Sequence, residues 1–332
     1  MKAVLCKEFG PPETLVVEEI AAPEPKAGEV VVDVAAASVN FPDVLMIENK
    51  YQATPSLPFS PGGEAAGVVA QLGDDVKGLA VGDRVIASCG TGGFVEKLAI
   101  RAEACTPMPE AMDFDAGAAM IMVYGTSYHA LKDRAQLQSG ETLLVMGAAG
   151  GVGLAAVDLG KAMGARVVAA ASTEEKLAVC REHGADETLL YPTGELTRDQ
   201  QRAFSEAIKE ATGGGADVVY DPIGDAYAEP ALRATNWGGR YLVIGFAAGA
   251  IPKIPLNLTL LKGSQIVGVF WGAFAARDPK GNAANNAELM TLYEEGKIRP
   301  HVSKRYPFEE AGQAIADMRD RKVTGKIVVV TS

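Results

Sequence analysis

The chain has 332 residues, 48% of them hydrophobic and 22% charged, with a formal net charge of -11 and a sequence pI near 4.9. Such a length and balance suit a globular protein with core enough for two domains, and the acidity excludes a general nucleic-acid binder. Cys6, Cys89, Cys105 and Cys180 stand far apart with no C-x-x-C pair, which excludes a zinc lobe and a disulfide framework.

The start runs straight into Ala3-Val4-Leu5. No apolar run there or later reads as a signal peptide or a membrane span, so a cytoplasmic, reducing location is expected. The first part is β-rich. Strands are predicted at 14–20, 29–36, 65–72, 83–87 and 94–100, punctuated by Gly and Pro. From Asp113 the texture turns helical, over 113–122 and 126–132. Strands at 143–146, 167–171, 187–190, 218–220 and 241–244 then alternate with helices at 152–163, 174–183, 198–211 and 226–234. That alternation predicts an α/β fold with a parallel, doubly wound sheet. Residues 266–269 would add a strand. From Asn285 two helices and two strands are expected, returning to the first domain. Segments 194–198 and 278–286 read as mobile loops.

The most informative stretch is Leu143-Leu144-Val145-Met146-Gly147-Ala148-Ala149-Gly150-Gly151-Val152-Gly153. An apolar run ends in a glycine turn that opens a helix, the grammar of a dinucleotide site. The frame G-x-x-G-x-x-G runs through Gly147, Gly150 and Gly153, whereas G-x-G-x-x-G would begin at Ala148. Glycines let the backbone approach a pyrophosphate, and the helix N-terminus offers it free N–H groups. The second strand ends Ala169-Ala170-Ala171-Ser172, without the acid that accepts from an NAD ribose. Ser172 can donate to a 2′-phosphate and Lys176 can add charge, so NADPH is the expected cofactor. Lys176 as a solvated helix lysine is the alternative, and the orientation of Glu174 and Glu175 decides how clean the preference is.

His129, His183 and His301 are the only histidines. They form no Ser-His-Asp set, Cys-His pair or metal set that the sequence can point to. Chemistry that needs only a cofactor and a shaped pocket, such as hydride transfer to an electron-poor small-molecule acceptor, fits this inventory.

Five landmarks carry a family resemblance: Ser38-Val39-Asn40-Phe41-Pro42-Asp43, Pro61-Gly62-Gly63-Glu64-Ala65-Ala66-Gly67, Gly82-Asp83-Arg84-Val85, the Ala148 to Gly153 turn, and Thr324-Gly325-Lys326-Ile327-Val328. On these the chain resembles the zinc-independent quinone oxidoreductases of the medium-chain dehydrogenase/reductase superfamily, the group that includes zeta-crystallin. The resemblance implies a GroES-like β-rich domain from residues 1–122 and 265–332, a Rossmann domain at 123–264, and a homodimer. Zinc alcohol dehydrogenases of the superfamily carry a Cys near the Asn40 position and a His within the segment matching 62–64. Asn40 and Gly63 stand there instead, and neither is a normal zinc ligand, so no metal is expected.

The resemblance further implies a cofactor site from Asn40, Thr126, Gly150, Gly151, Val152, Gly153, Ser172, Lys176, Tyr191, Gly245, Phe246, Phe270 and Lys326. Asn40 and Tyr51 become the catalytic candidates on the substrate side. Tyr51 as proton donor, clamp or cleft wall stays open. So do Tyr191 as a packing residue, Asp221 as a turn-stabilising residue, and Trp271 as plain core. Loops 49–57 and 270–282 would set the pocket size. Reduction of quinones or related α,β-unsaturated carbonyls is the expected activity. An enoyl-thioester reductase and an NADPH-binding protein with little turnover are the alternatives.

Overall fold

In the computed structural model, which describes residues 1–52 and 55–331, the chain forms two units. One is Met1–Met122 plus the segment from Pro300 on; the other is Val123–Arg299. Residues 53 and 54 of the 49–57 loop lie outside the described residues.

The first unit begins with β1 (Lys2–Leu5), antiparallel to β2 (Val16–Glu19). The β-branched run of β3 (Glu29–Ser38) suits a pleated, buried strand, and Val30, Val31 and Val32 are fully buried. Seven residues, α1 (Phe41–Ile47), follow with Pro42 in the first turn, where its missing N–H costs nothing. Then come β4 (Glu64–Leu72), β5 (Arg84–Ser88), β6 (Lys97–Arg101), β7 (Cys105–Pro107) and α2 (Phe114–Ala118). Strand β3 pairs antiparallel with β4 and β6, β4 with β5, and β5 with β7.

The second unit opens with α3 (Thr126–Tyr128), continued to Arg134 by wider i→i+5 turns. Strands and helices then alternate: β8 (Thr142–Val145), α4 (Gly151–Ala162), β9 (Arg166–Ala171), α5 (Glu174–Glu182), β10 (Glu187–Leu190), α6 (Arg198–Thr212), β11 (Ala216–Asp221), α7 (Ala228–Arg233), β12 (Thr235–Val243), α8 (Asn257–Lys262) and β13 (Gln265–Gly268). The helices α9 (Trp271–Arg277) and α10 (Pro279–Glu294) close the unit. All six strands are parallel, in the order β10-β9-β8-β11-β12-β13. The order reverses direction between β8 and β11, and such a switch point opens a crevice at the carboxyl ends of the strands.

Two expectations need correction. Residues 265–299 belong to the second unit, because β13 pairs in register with β12 and extends the parallel sheet. The supposed loop 278–286 is helical: Asp278 caps α10 by accepting from the Gly281 N–H at 3.0 Å.

Where the chain enters and leaves this unit, one buried carboxylate gathers several groups. The Tyr124 hydroxyl donates to Asp158 Oδ2 at 2.6 Å and the Arg299 backbone N–H donates to the same oxygen at 3.1 Å. His183 Nδ1 pairs with Asp158 Oδ1 at 2.7 Å.

The returning segment supplies β14 (Val302–Pro307), α11 (Ala311–Arg319) and β15 (Lys326–Val330). Strand β15 lies antiparallel to β3, with Val328 opposite Ser38. That register carries Lys326 to the end of β3, beside Val39 and Asn40.

Candidate functional site

The turn after β8 is tightly wound. Gly147 adopts φ +58, and a β-carbon at Gly153 would stand 2.4 Å from the Gly147 carbonyl oxygen. Only glycine fits that close pass of helix over turn. Helix α4 begins after Gly150 with no side-chain cap and no acid in its first turn. The first-turn N–H groups at Gly151, Val152 and Gly153 therefore keep their donors and partial positive charge for an anion. Ser127, next to Thr126, holds this turn through its Oγ, 3.0 Å from the Val152 carbonyl, and meets the Tyr220 hydroxyl at 2.8 Å.

At the ends of β9 and β10 the structure brings together Ser172, Lys176 and Tyr191. The Tyr191 N–H donates to the Ala171 carbonyl at 3.0 Å. Its ring also packs on Tyr227 and Phe204, with centroids 5.3 and 6.1 Å away. Thr173 caps α5. Glu174 pairs with Arg181 at 2.7 Å. The Glu175 carboxyl bonds its own N–H and the Thr173 hydroxyl, which hold it below the usual carboxylate range. Both acids thus have partners within α5 and its cap.

Beyond β11, Asp221 stabilises a turn. Its Oδ1 accepts from the N–H groups of Ile223 at 2.8 Å and Gly224 at 3.0 Å, while Tyr241 donates to Oδ2. Gly245 and Phe246 follow β12, and the Phe246 ring fills the space above Gly224. These turns share the carboxyl edge of the sheet with the glycine turn. Phe270 also follows a strand end but is 61% exposed. Trp271 packs against Gly125 and donates from its indole to Asn282 Oδ1 at 3.0 Å.

A buried polar cluster occupies the first unit. Asn40 precedes α1, and its backbone N–H donates to Asp43 Oδ2 at 2.7 Å. Asp43 Oδ1 accepts from the Gly62 N–H at 2.9 Å. Gly62 sits at φ +94, where a β-carbon would strike the Phe94 ring. Lys326 is 3% exposed, and its ammonium donates to the Val39 carbonyl at 2.9 Å and to Asn40 Oδ1. Asn40 Nδ2 donates toward Ser38 Oγ at 3.2 Å, and Ser38 Oγ donates to Glu64 Oε2 at 3.3 Å. Glu64 Oε1 accepts from the N–H groups of Ile121 and of Met122, the latter at 3.0 Å.

Burial sets the acidities here. It raises the Asp43 carboxyl to about 6 and the Glu64 carboxyl to about 7, against hydrogen bonds and the Lys326 charge. It lowers Lys326 to about 8 against the two carboxylates. Half-buried Tyr51 is raised by burial and then by the charge of Asp43.

The sequence singled out Asn40 and Lys326, which the structure joins, but assigned no role to Ser38 or Glu64. The Asn40-x-x-Asp43 spacing is a helix-capping signal that points to Asp43. Lys326 was expected to meet a cofactor; its ammonium is buried against Asn40 and Val39.

The residues at this cluster do not fit a metal. The Asn40 amide is engaged at both ends, and Gly63 offers no donor. A β-carbon at Gly63 would lie 2.6 Å from Met122 Cε, and Lys326 sets a positive charge beside Asn40. Among the described residues no three His, Cys, Asp or Glu side chains gather as a metal set.

Residues 26–110 match the alcohol dehydrogenase GroES-like domain and residues 151–286 match the zinc-binding dehydrogenase domain. The chain is 38% identical over 335 residues to quinone oxidoreductase-like protein 2 homolog of Nematostella vectensis, covering 99% of this chain and 89% of the relative. It is similar to the crystal structure of a probable oxidoreductase from Mycobacterium abscessus, with TM-score 0.89 and 38% identity over 100% of this chain and 99% of that one. It is also similar to Escherichia coli quinone oxidoreductase complexed with NADPH, with TM-score 0.90 and 27% identity over the whole of both chains.

Proposed function

The chain belongs to the quinone oxidoreductase family of the medium-chain dehydrogenases and reductases, and from that premise we propose that it is an NADPH-dependent oxidoreductase that reduces quinones or related α,β-unsaturated carbonyls without a metal. The E. coli relative's complex supports NADPH as the cofactor. The observation that carries the reading is the end of β9, where Glu174 and Glu175 are held by partners within α5 and its cap and Lys176 makes no ion pair among the described residues.

Bound NADPH would supply the hydride. The first-turn N–H groups of α4 would hold its pyrophosphate, and Ser172 and Lys176 its 2′-phosphate. Tyr51 keeps its proton at neutral pH, because burial raises it, so it can wall the cleft or donate a hydrogen bond. A reduced quinone carries its charge on oxygen, which solvent can protonate, so no dedicated acid is required.

The half-buried phenol also supports a second reading, enoyl-thioester reduction, in which a positioned acid serves the carbon centre. NADPH oxidation against a panel of quinones, enones and crotonyl or acrylyl thioesters separates the two. Zinc content and turnover after chelation test the metal-free assignment. Stoichiometric zinc, with activity lost on its removal and restored on its return, would overturn it.

A homodimer belongs to the same proposal. Strand β13 is terminal in its sheet, and Ile266 on it and Phe270 just past it are exposed apolar residues.

A further inference from the structure

We propose that Lys326 is a positioning residue that fixes the side-chain amide of Asn40 so that it presents only a hydrogen-bond acceptor. The proposal rests on the reading of Asn40 as part of the reaction site.

The argument is one of donor and acceptor inventory. An ammonium has donors only and a backbone carbonyl is an acceptor only. The Lys326 ammonium bonds one end of the Asn40 amide, so that end is Oδ1. The other end lies 3.4 Å from the Ser38 carbonyl and 3.2 Å from Ser38 Oγ, so it is Nδ2. A flipped amide would set N–H against ammonium and oxygen against carbonyl. The Ser38 hydroxyl donates onward to Glu64 Oε2, which leaves its lone pairs facing Nδ2. Lys326, Asn40, Ser38 and Glu64 thus form a chain of donation with one direction.

The far end of that chain is itself anchored, because Glu64 Oε1 takes two backbone N–H groups. Lys326 spends a further donor on the Val39 carbonyl at 2.9 Å. All four side chains are buried, so water competes for none of these bonds.

The consequence is chemical. Both Nδ2 hydrogens are directed at Ser38, and what remains on Asn40 is the second lone pair of Oδ1. Asn40 therefore cannot donate to the carbonyl oxygen of a quinone. It can accept from an N–H or O–H, groups that the carboxamide and ribose of a nicotinamide nucleotide carry and a simple quinone lacks. Of the two roles expected for Asn40, substrate side and cofactor side, this favours the cofactor side, and Lys326 acts through it.

A double-mutant cycle on Lys326→Met and Asn40→Ala, read as the NADPH dissociation constant by calorimetry and as kcat with a quinone, tests this. Each single variant should weaken NADPH binding about tenfold, the loss of one hydrogen bond to a charged or buried group. The double variant should be no worse than Asn40→Ala alone, because coupled residues are non-additive. Lys326→Arg, which keeps a cationic donor, should recover to within about threefold of wild type.

Ser38→Ala guards against a failure to fold, since it keeps both buried charges. It should weaken NADPH binding about fivefold and speed hydrogen exchange of the Asn40 side-chain amide in the free protein about tenfold. Additive losses of about a hundredfold in the double variant would mean that Lys326 touches the ligand itself, and would overturn the proposal alone. A silent Asn40→Ala would remove Asn40 from the site and end both readings. Ser38→Ala with unchanged amide exchange would overturn the chain of donation.

Discussion

At the end of β9 Lys176 makes no ion pair among the described residues, while Glu174 is paired with Arg181 and Glu175 is folded onto Thr173. A charge-assisted contact to a 2′-phosphate contributes about 1.5–3 kcal/mol, so Lys176→Ala should lower kcat/KM for NADPH about ten- to a hundredfold and leave NADH nearly unchanged. Equal losses with both cofactors would sink the assignment. For Tyr51, quinone reduction needs only a wall or clamp, so Tyr51→Phe should cost less than about tenfold in kcat. A loss of about a thousandfold confined to enoyl thioesters would shift the assignment to the second reading. Glu64 gives a pH prediction. Its folded acidity lies near 7, above the ordinary 4.5, because it is buried. A carboxyl raised on folding contributes stability that is full below its unfolded value and is lost as pH rises through the folded one. Lys326, lowered only to about 8, stays charged across most of that range. The melting temperature of Glu64→Gln relative to wild type should therefore rise between pH 5 and pH 7.5. A difference that stays flat, or falls, would mean that Glu64 ionises as an ordinary carboxyl. Ser172 and Lys176 could be proposed together from the sequence because a strand end and the helix after it are neighbours in the chain. The link from Lys326 to Asn40 and Glu64 was not, because only the pairing of β15 with β3 brings those residues together.

Helix α4 and its turn show what one β-carbon does to an element. At Gly153 it would meet the Gly147 oxygen at 2.4 Å and the Ala148 carbonyl carbon at 2.7 Å, both backbone atoms that cannot move alone. At Gly150 its nearest neighbour would be 3.5 Å away, an ordinary contact. Gly153→Ala should therefore destabilise the protein by about 1–3 kcal/mol and weaken NADPH binding more than about tenfold. Gly150→Ala should leave the melting temperature within about 2 °C of wild type. Thermal unfolding and a calorimetric titration check both, and equal stabilities would refute the steric argument. The same turn was the clearest signal in the sequence, since its glycines mark the boundary between an apolar strand and an apolar helix. The helix expected from Asn285 is α10, but its first turns were read as a loop for the opposite reason. Asp278-Pro279-Lys280-Gly281-Asn282 has the composition of a loop, yet an acid followed by proline is also how a helix starts. Helix α1 is seven residues long and contains Pro42, too short for periodicity to appear. Strand β13 was read as a strand but assigned with the tail, because sequence shows a strand's pattern and not its partner.

At the scale of the whole molecule, the second unit ends its sheet in strand β13 and exposes several apolar side chains. Leu260 is 79% exposed, Leu256 and Leu261 in the same helical region are exposed too, and β13 has one neighbouring strand among the described residues. Exposed apolar groups beside an unpaired strand edge call for a covering partner. Light scattering at micromolar concentration should give twice the 34.6 kDa chain mass, and Ile266→Lys should shift the population toward the monomer. A monomeric wild type would remove the basis for a homodimer. The carboxylate of Asp158 has a consequence of another kind. Tyr124 and Arg299 stand at the two ends of a long stretch of chain, and both are tied to the same oxygen. The nucleotide unit therefore behaves as a cassette with a clasp. Its two ends meet at one spot, and the entropy of closing a long loop is already settled inside the unit. A chain built this way can exchange its nucleotide cassette for another with the same clasp and leave the host sheet, from β3 to β15, in register.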